Sequence, residues 1–159
     1  MKTDFPIAAA TAQNAPEVAV MVGELLAEIM SAVGEQAFNF DLAQTTSRLA
    51  EFLEQQKYFV FVARDDGGRS AGFLALYESH ALYAEGAFGT IAELYVRPDY
   101  RSHALGLRLV TEAKALGAAR GWTRLEVTTP PLPQFDRTLA FYQREGFSIS
   151  GGRKLKVAL

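Results

Sequence analysis

The chain has 159 residues, no cysteine, 49% hydrophobic and 21% charged residues, and a formal net charge of −2. That length suits one ordinary domain, which buries roughly 68–70% of its unfolded surface and folds without a disulfide or metal staple. The composition excludes intrinsic disorder, a disulfide scaffold, a cysteine zinc site and a thiol nucleophile.

Residues 4–10 read as a first strand, although alanines and Pro6 weaken the pattern. Asn14, Pro16 and Glu17 open a helix that carries Val18, Val22, Leu25, Leu26, Ile29 and Val33 at helical spacing, and Gly34 stops it. Glu17, Glu24 and Glu28 interrupt its apolar run, so no membrane span is expected. The first residues lack a basic stretch leading into an apolar core, which predicts a cytoplasmic protein without a secretory leader. Asp41 and Gln44 resemble a capping box for a second helix with Leu42, Leu49, Phe52 and Leu53. Tyr58 to Ala63 reads as a strand, and Asp65-Asp66-Gly67-Gly68 as a hairpin turn into a strand over 70–77. Residues 79–89 read as a loop of small residues, followed by a strand over 90–96 that Pro98 ends.

A helix from about 104 to 119 places Leu105, Leu109, Ala113 and Leu116 on one face. A strand at 124–128, a stiff connector at 130–133, a short helix over 136–145, a strand from Phe147 and a last strand at 154–158 follow. Alternating strands and helices predict a mixed α/β sheet with helices on its faces.

The small net charge conceals a division: residues 1–96 carry −8 and residues 97–159 carry +6. An excess of cations in the second half points to a bound anion there, or to scattered solvated charge. No aromatic platform is interleaved with its arginines, so nucleic acid is not expected as a partner. His80 and His103 stand apart from any close carboxylate spacing, so no metal site is expected.

The chemistry concentrates in Leu94-Tyr95-Val96-Arg97-Pro98-Asp99-Tyr100-Arg101-Ser102-His103-Ala104-Leu105-Gly106-Leu107. A strand ends, proline turns the chain, and a loop of small residues opens a helix whose free N–H groups and dipole suit a phosphate. The segment lacks both the lysine of a P-loop and the three glycines of a dinucleotide fold.

It resembles the acyl-CoA signature of the GCN5-related N-acetyltransferase (GNAT) superfamily: arginine or glutamine, two residues, glycine, one residue, glycine or alanine. Arg101, Ala104 and Gly106 take those positions. Downstream, Asp136 to Phe147 is similar to the helix of that family that ends in a tyrosine followed by glycine and phenylalanine. The resemblance implies one N-acetyltransferase domain over residues 1–159. Its fold would be a mixed, mostly antiparallel twisted sheet of six or seven strands flanked by about four helices. Splayed strands 90–96 and 124–128 would hold acetyl-CoA. On this resemblance Leu94, Tyr95 and Val96 lie along the pantetheine arm, Ser102, His103, Ala104, Leu105, Gly106 and Leu107 hold the pyrophosphate, and Arg101 flanks it.

Two positions depart from the family pattern. Ala104 replaces a glycine, at a cost on the order of 1 kcal/mol if its φ is positive and none in ordinary helical geometry. Asp136 replaces an asparagine, and is expected to cap its helix, since an acid repels phosphates.

Glu93 is the candidate base. Strand alternation groups it with Ile91 and Tyr95, a setting that desolvates a carboxylate and raises its pKa; the alternative is a salt-bridged surface glutamate. Tyr142 is the candidate acid, a neutral donor at pH 7 able to protonate a thiolate, or else a core aromatic beside Leu139. His103 could add a hydrogen bond to the phosphates or face solvent. Without cysteine, direct transfer is expected, with the carbonyl polarised by a main-chain N–H.

Acceptor specificity is expected in residues 21–45 and 78–89. From residue 3 to 47 there are acids but no lysine or arginine, and Glu78, Glu85 and Glu93 follow. This suggests a cationic acceptor such as a polyamine, an aminoglycoside-like amine or a lysine side chain, unless the acids are solvated helix faces. Phe38, Phe40, Tyr77, Tyr83 and Phe88 would line the pocket or pack. A small-molecule or peptide amine is the expected partner, and a terminal edge strand would suit a homodimer. A non-catalytic acyl-CoA-binding sensor is the competing class.

Overall fold

The computed structural model describes residues 5–159. Two units separate at Thr128/Thr129. The first contains β1 (Ile7–Ala9), α1 (Ala15–Val33), α2 (Leu42–Glu54), β2 (Phe59–Arg64), β3 (Ser70–Ala81), β4 (Gly86–Val96), α3 (Leu105–Arg120) and β5 (Leu125–Val127). The five strands lie side by side in chain order. All neighbours are antiparallel except β4 and β5, which run parallel. A parallel neighbour needs a crossover, and α3 supplies it.

The helices start and stop where local chemistry directs. Gly34 adopts the left-handed conformation (φ 73°) and its N–H bonds Met30 O at 2.9 Å, closing α1. Asp41 Oδ1 accepts from Gln44 N at 2.8 Å, the first half of a capping box. The second half is absent, because Gln44 Oε1 accepts from Arg48 instead. β1 is three residues long, shorter than expected; Pro6 offers no N–H, though its carbonyl accepts from Arg64 N. Asp4, at the start of the expected strand, lies outside the described residues.

The expected loop at 79–89 is corrected: β3 and β4 pair down to Ala81 and Gly86, and only the turn at Leu82–Glu85 separates them. Small residues there resemble a loop, but the cross-strand ladder holds them extended, with Ser79 and Thr90 hydroxyls 2.8 Å apart. A bulge in β4 is the second correction. Ala75 pairs with Glu93 while Leu76 pairs with Ile91, leaving Ala92 unpaired. Paired residues share a face, so Ile91 sides with Leu76 and Leu94, and Glu93 with Ala75 and Tyr95. Ile91 and Glu93 are therefore on opposite faces.

On the Glu93 face, α1 and α2 bury Val18, Met21 and Leu49 against Val60, Val62, Phe73, Ala75 and Tyr95. Each fully buried side chain of that size contributes roughly 1.5–3 kcal/mol. Leu74 and Leu76 point to the other face, and α3, with Leu105, Leu109 and Val110 buried, packs on β2, β3 and β4.

The second unit contains α4 (Asp136–Arg144). Phe135 takes the N-cap position and no side chain caps the helix, so Asp136 stands within the first turn and is not the cap. Its charge still suits the helix dipole there. No strand follows α4 among the described residues, so the strands expected from Phe147 and at 154–158 are absent and the sheet has five strands, not six or seven. A strand needs a paired edge, which neither segment has in this structure. Among the described residues, no helix is long and apolar enough to cross a membrane.

Gly89 sits where β4 first pairs with β5, and a Cβ there would lie 2.5 Å from the Trp122 ring and 2.6 Å from Leu125. Gly89→Ala is expected to destabilise the fold by about 1–3 kcal/mol, read as a lower urea midpoint at unchanged slope.

Candidate active site

Pairing between β4 and β5 ends at Ile91/Val127. The rest of β4 keeps β3 on one side and has no ladder partner on the other. Main-chain groups alternate sides along a strand, and Arg97 N–H bonds Ala71 O at 2.9 Å on the β3 side. Leu94 and Val96 therefore turn their main-chain groups to the open edge. Tyr95 turns its own toward β3 and buries its ring, with its hydroxyl donating to Glu24 Oε1 at 3.2 Å. Burial and the Glu24 charge push the Tyr95 phenol up to about 12.

Beyond β4, a 3₁₀ turn at Pro98–Tyr100 leads to a strained loop. Ser102 (φ 81°) and Ala104 (φ 57°) both occupy the left-handed region. That answers the question left open for Ala104: it stands at the N-cap of α3 in αL geometry. The first helical bond is Arg108 N to Ala104 O, so the N–H groups of Leu105, Gly106 and Leu107 precede the helical ladder. A left-handed residue running into a helix start makes a concave nest of N–H groups. Leu105 is buried and anchors the helix, whereas Ser102, His103, Ala104 and Leu107 are exposed. The His103 ring packs on Phe5, 5.0 Å between centroids. Arg101 is committed elsewhere: Nε donates to Val96 O and Nη2 to Glu28, both at 2.9 Å.

Glu93 is half-buried and opens on a pocket of about 160 Å³. Val18 and Val22 of α1 and Thr45, Arg48, Leu49 and Phe52 of α2 form one wall; Tyr58, Phe73 and Ala75 form the other. Its Oε1 accepts from the Tyr58 hydroxyl at 3.4 Å. Oε2 is sealed from solvent and has no hydrogen-bond partner among the described residues. Burial pushes the Glu93 carboxyl up to about 7, against the lowering effect of the Tyr58 bond. Burial, followed by the Glu93 charge, raises the Tyr58 phenol and keeps it a neutral donor. Phe52 and Tyr77 pack on the Tyr58 ring, at 5.2 and 5.9 Å.

In the second unit, Tyr142 is buried between Phe141 and Phe147, with ring centroids at 5.2 and 5.3 Å. Burial raises its pKa, so it stays protonated.

Several expectations change. None of Phe38, Phe40, Tyr77, Tyr83 and Phe88 lines the Glu93 pocket, and from 21–45 and 78–89 only Val22 and Thr45 do. His80 lies on β3, 3.3 Å from Glu78. Four of the acids that suggested a cationic acceptor are engaged internally: Glu17 with Arg64, Glu24 with Arg97, Glu28 with Arg101 and Glu78 with Arg120. Tyr58 and Arg48 were missed, because only tertiary packing carries them to Glu93, 35 and 45 positions away in the chain. No group of three or more histidine, aspartate or glutamate side chains suits a metal among the described residues.

A profile of the acetyltransferase (GNAT) domain matches residues 56–149. An uncharacterized N-acetyltransferase of Mycobacterium tuberculosis (strain ATCC 25618 / H37Rv) is 28% identical over 117 residues, 74% of this chain and 70% of that protein. Among solved structures, a GCN5-related N-acetyltransferase from Ralstonia eutropha JMP134 superposes with a TM-score of 0.76 at 17% identity, covering 97% of this chain and 99% of that one. An aminoglycoside acetyltransferase from an uncultured soil metagenomic sample gives 0.75 at 19% identity, covering 98% and 96%. A ribosomal-protein-alanine N-acetyltransferase from Brucella melitensis biovar Abortus 2308 gives 0.72 at 18% identity, covering 96% and 99%. These structural likenesses establish the fold.

The left-handed geometry of Ala104 gives a direct stability test. Ala104→Gly is expected to raise stability by up to about 1 kcal/mol, since relief of the αL strain outweighs the added unfolded-state entropy. Ala104→Val is expected to lower it, and urea unfolding of the three proteins checks the order.

Proposed function

The chain belongs to the GNAT acetyltransferase family and is an acyltransferase, and on that premise we propose that it moves an acetyl group from acetyl-CoA directly to a primary amine. One conjunction carries this reading: Glu93, whose buried Oε2 has no hydrogen-bond partner among the described residues, lines a pocket from the very strand whose free edge leads to the N–H nest of α3. The named relatives include an aminoglycoside and a ribosomal-protein alanine acetyltransferase, whose acceptors share an amine. The two units are proposed to act as one N-acetyltransferase domain over residues 1–159. The family match runs across their boundary, and the solved relatives cover 96–98% of the chain.

The chain's own groups fit such a donor. Leu94 offers its N–H and carbonyl, and Val96 its N–H, to the pantetheine amides, as a strand edge does for an added strand. Residues 102–107 offer N–H groups to the pyrophosphate. With Nε still on Val96 O, Arg101 Nη2 can join them by releasing Glu28, an exposed pair worth roughly 0–1 kcal/mol. Acetyl-CoA supplies an acetyl group activated as a thioester. Glu93 takes a proton from the entering ammonium, which leaves a neutral nitrogen lone pair to form the N–C bond as the C–S bond breaks. Tyr142 donates the proton that the departing thiolate acquires, and the second proton lost by nitrogen replaces it. The products are an amide, a thiol and one proton released through Glu93.

A thiol-release assay with acetyl-CoA and primary amines tests the reading; absence of turnover with retained acetyl-CoA binding would leave the sensor class standing. Because Glu93 works deprotonated, kcat is expected to rise with pH through about 7 and to be lost as pH falls below it. Glu93→Gln is expected to lower kcat by roughly 10²–10⁴ and to abolish that limb. Stability moves the opposite way. A carboxyl raised by folding is fully accommodated below its ordinary pKa, and its contribution is lost as pH rises through about 7. Glu93→Gln therefore makes the protein relatively more stable at pH 8 than at pH 5, by thermal unfolding. Tyr142→Phe is expected to cut kcat by about 10² or more while keeping acetyl-CoA affinity within about twofold; unchanged kcat refutes the acid role.

A further inference from the structure

We propose that the acceptor is an apolar amino acid: a primary amine at Glu93, an apolar body of about phenyl size in the pocket, and a carboxylate held by Arg48. This rests on the transferase reading above and names the substrate class of the same site. The pocket measures about 160 Å³, and Val22, Leu49, Phe52 and Phe73 give it an apolar wall. An apolar cavity of about 150 Å³ takes one benzene ring. A sugar amine or a polyamine would strand hydroxyls or ammonium groups against such walls without partners.

The pocket's charged groups are one of each sign, Glu93 and Arg48. One carboxylate can receive one amine. A second ammonium would meet the Arg48 guanidinium, whereas a carboxylate there would be matched. Arg48 is exposed on α2, and its Nη2 donates to the neutral Gln44 Oε1 at 3.2 Å. Among the described residues it has no carboxylate in ion-pair range, unlike Arg64, Arg97, Arg101, Arg120 and Arg124. A planar guanidinium left with a neutral partner at the lip of an apolar pocket fits a carboxylate through its two-pronged geometry.

The test compares phenylalanine, phenethylamine and spermidine. Phenethylamine keeps the amine and ring without the carboxylate, and spermidine carries extra cations. With acetyl-CoA, kcat/KM for phenylalanine is expected to exceed that for phenethylamine by tenfold to a hundredfold, the range of a hydrogen-bonded charge. Arg48→Ala should bring that ratio to within about threefold, through KM, and Arg48→Lys should leave it in between. Since Arg48 is exposed, both variants should keep the wild-type melting midpoint. Spermidine as the best acceptor, or a ratio unmoved by Arg48→Ala, overturns the proposal and leaves the transferase reading intact. Calorimetry with coenzyme A present separates the two failures. Phenylalanine binding that depends on Arg48 without thiol release upholds the acceptor class and refutes the transfer chemistry.

Discussion

The bulge at Ala92 is the constraint on which the site depends. One unpaired residue in β4 reverses the alternation between Ile91 and Glu93. Without it, Glu93 would share a face with Ile91 and point away from Ala75, away from the pocket under α1 and α2. The ladder to β5 ends at the residue before the bulge, at Ile91. One irregularity thus aims a carboxylate into a pocket beside a main-chain edge left open. A regular strand would provide neither.

The electrostatics follow from how the two halves of the chain meet. Glu24 receives Arg97 through Nε and Nη2 at 3.0 and 2.9 Å, and Arg97 Nη1 also donates to Ser70 O at 2.9 Å. Hydrogen bonding from Arg97 holds the Glu24 carboxyl below the usual range. This two-pronged pair ties α1 to the ends of β3 and β4 and is the stronger kind of ion pair. Glu28–Arg101 and Glu78–Arg120 join the same two halves. Three acids of the first half are therefore neutralised by arginines of the second within the fold. What is left near the pocket is a single carboxylate whose pKa is set by burial, and a single arginine at the rim.

Two of the four non-glycine residues with positive φ among the described residues lie where the proposed donor phosphates bind. Ser102 and Ala104 both hold positive φ without being glycine, a conformation that persists only when the surroundings impose it. Buried Leu105 fixes the start of α3, and the 3₁₀ turn after β4 fixes the entry. Those two anchors hold the loop at both ends, with the N–H groups of Leu105, Gly106 and Leu107 outside the helical ladder. Such preorganisation removes part of the ordering cost of binding.

Much of this was legible in the order of residues. Amphipathic spacing located α1 and α3, Asp41 marked the start of α2, and the Asp65–Gly68 turn and Pro98 bounded strands where the structure has them. Glu93 stood out as a carboxylate in a strand, and the segment from Arg101 to Leu107 as a helix start suited to an anion. These are local matters: helix and strand periods, caps and turns depend on neighbours a few positions away. The face of Ile91, the left-handed state of Ala104, the pairing of 79–89 and the company of Tyr58 and Arg48 around Glu93 are different. Each depends on which distant strand or helix lies alongside, and the energy that decides it comes from ladders and packing between segments tens of residues apart. The sequence by itself determined the elements and the groups able to do chemistry. Tertiary structure decided which of those groups meet, how dry the carboxylate is, and which charges are already matched.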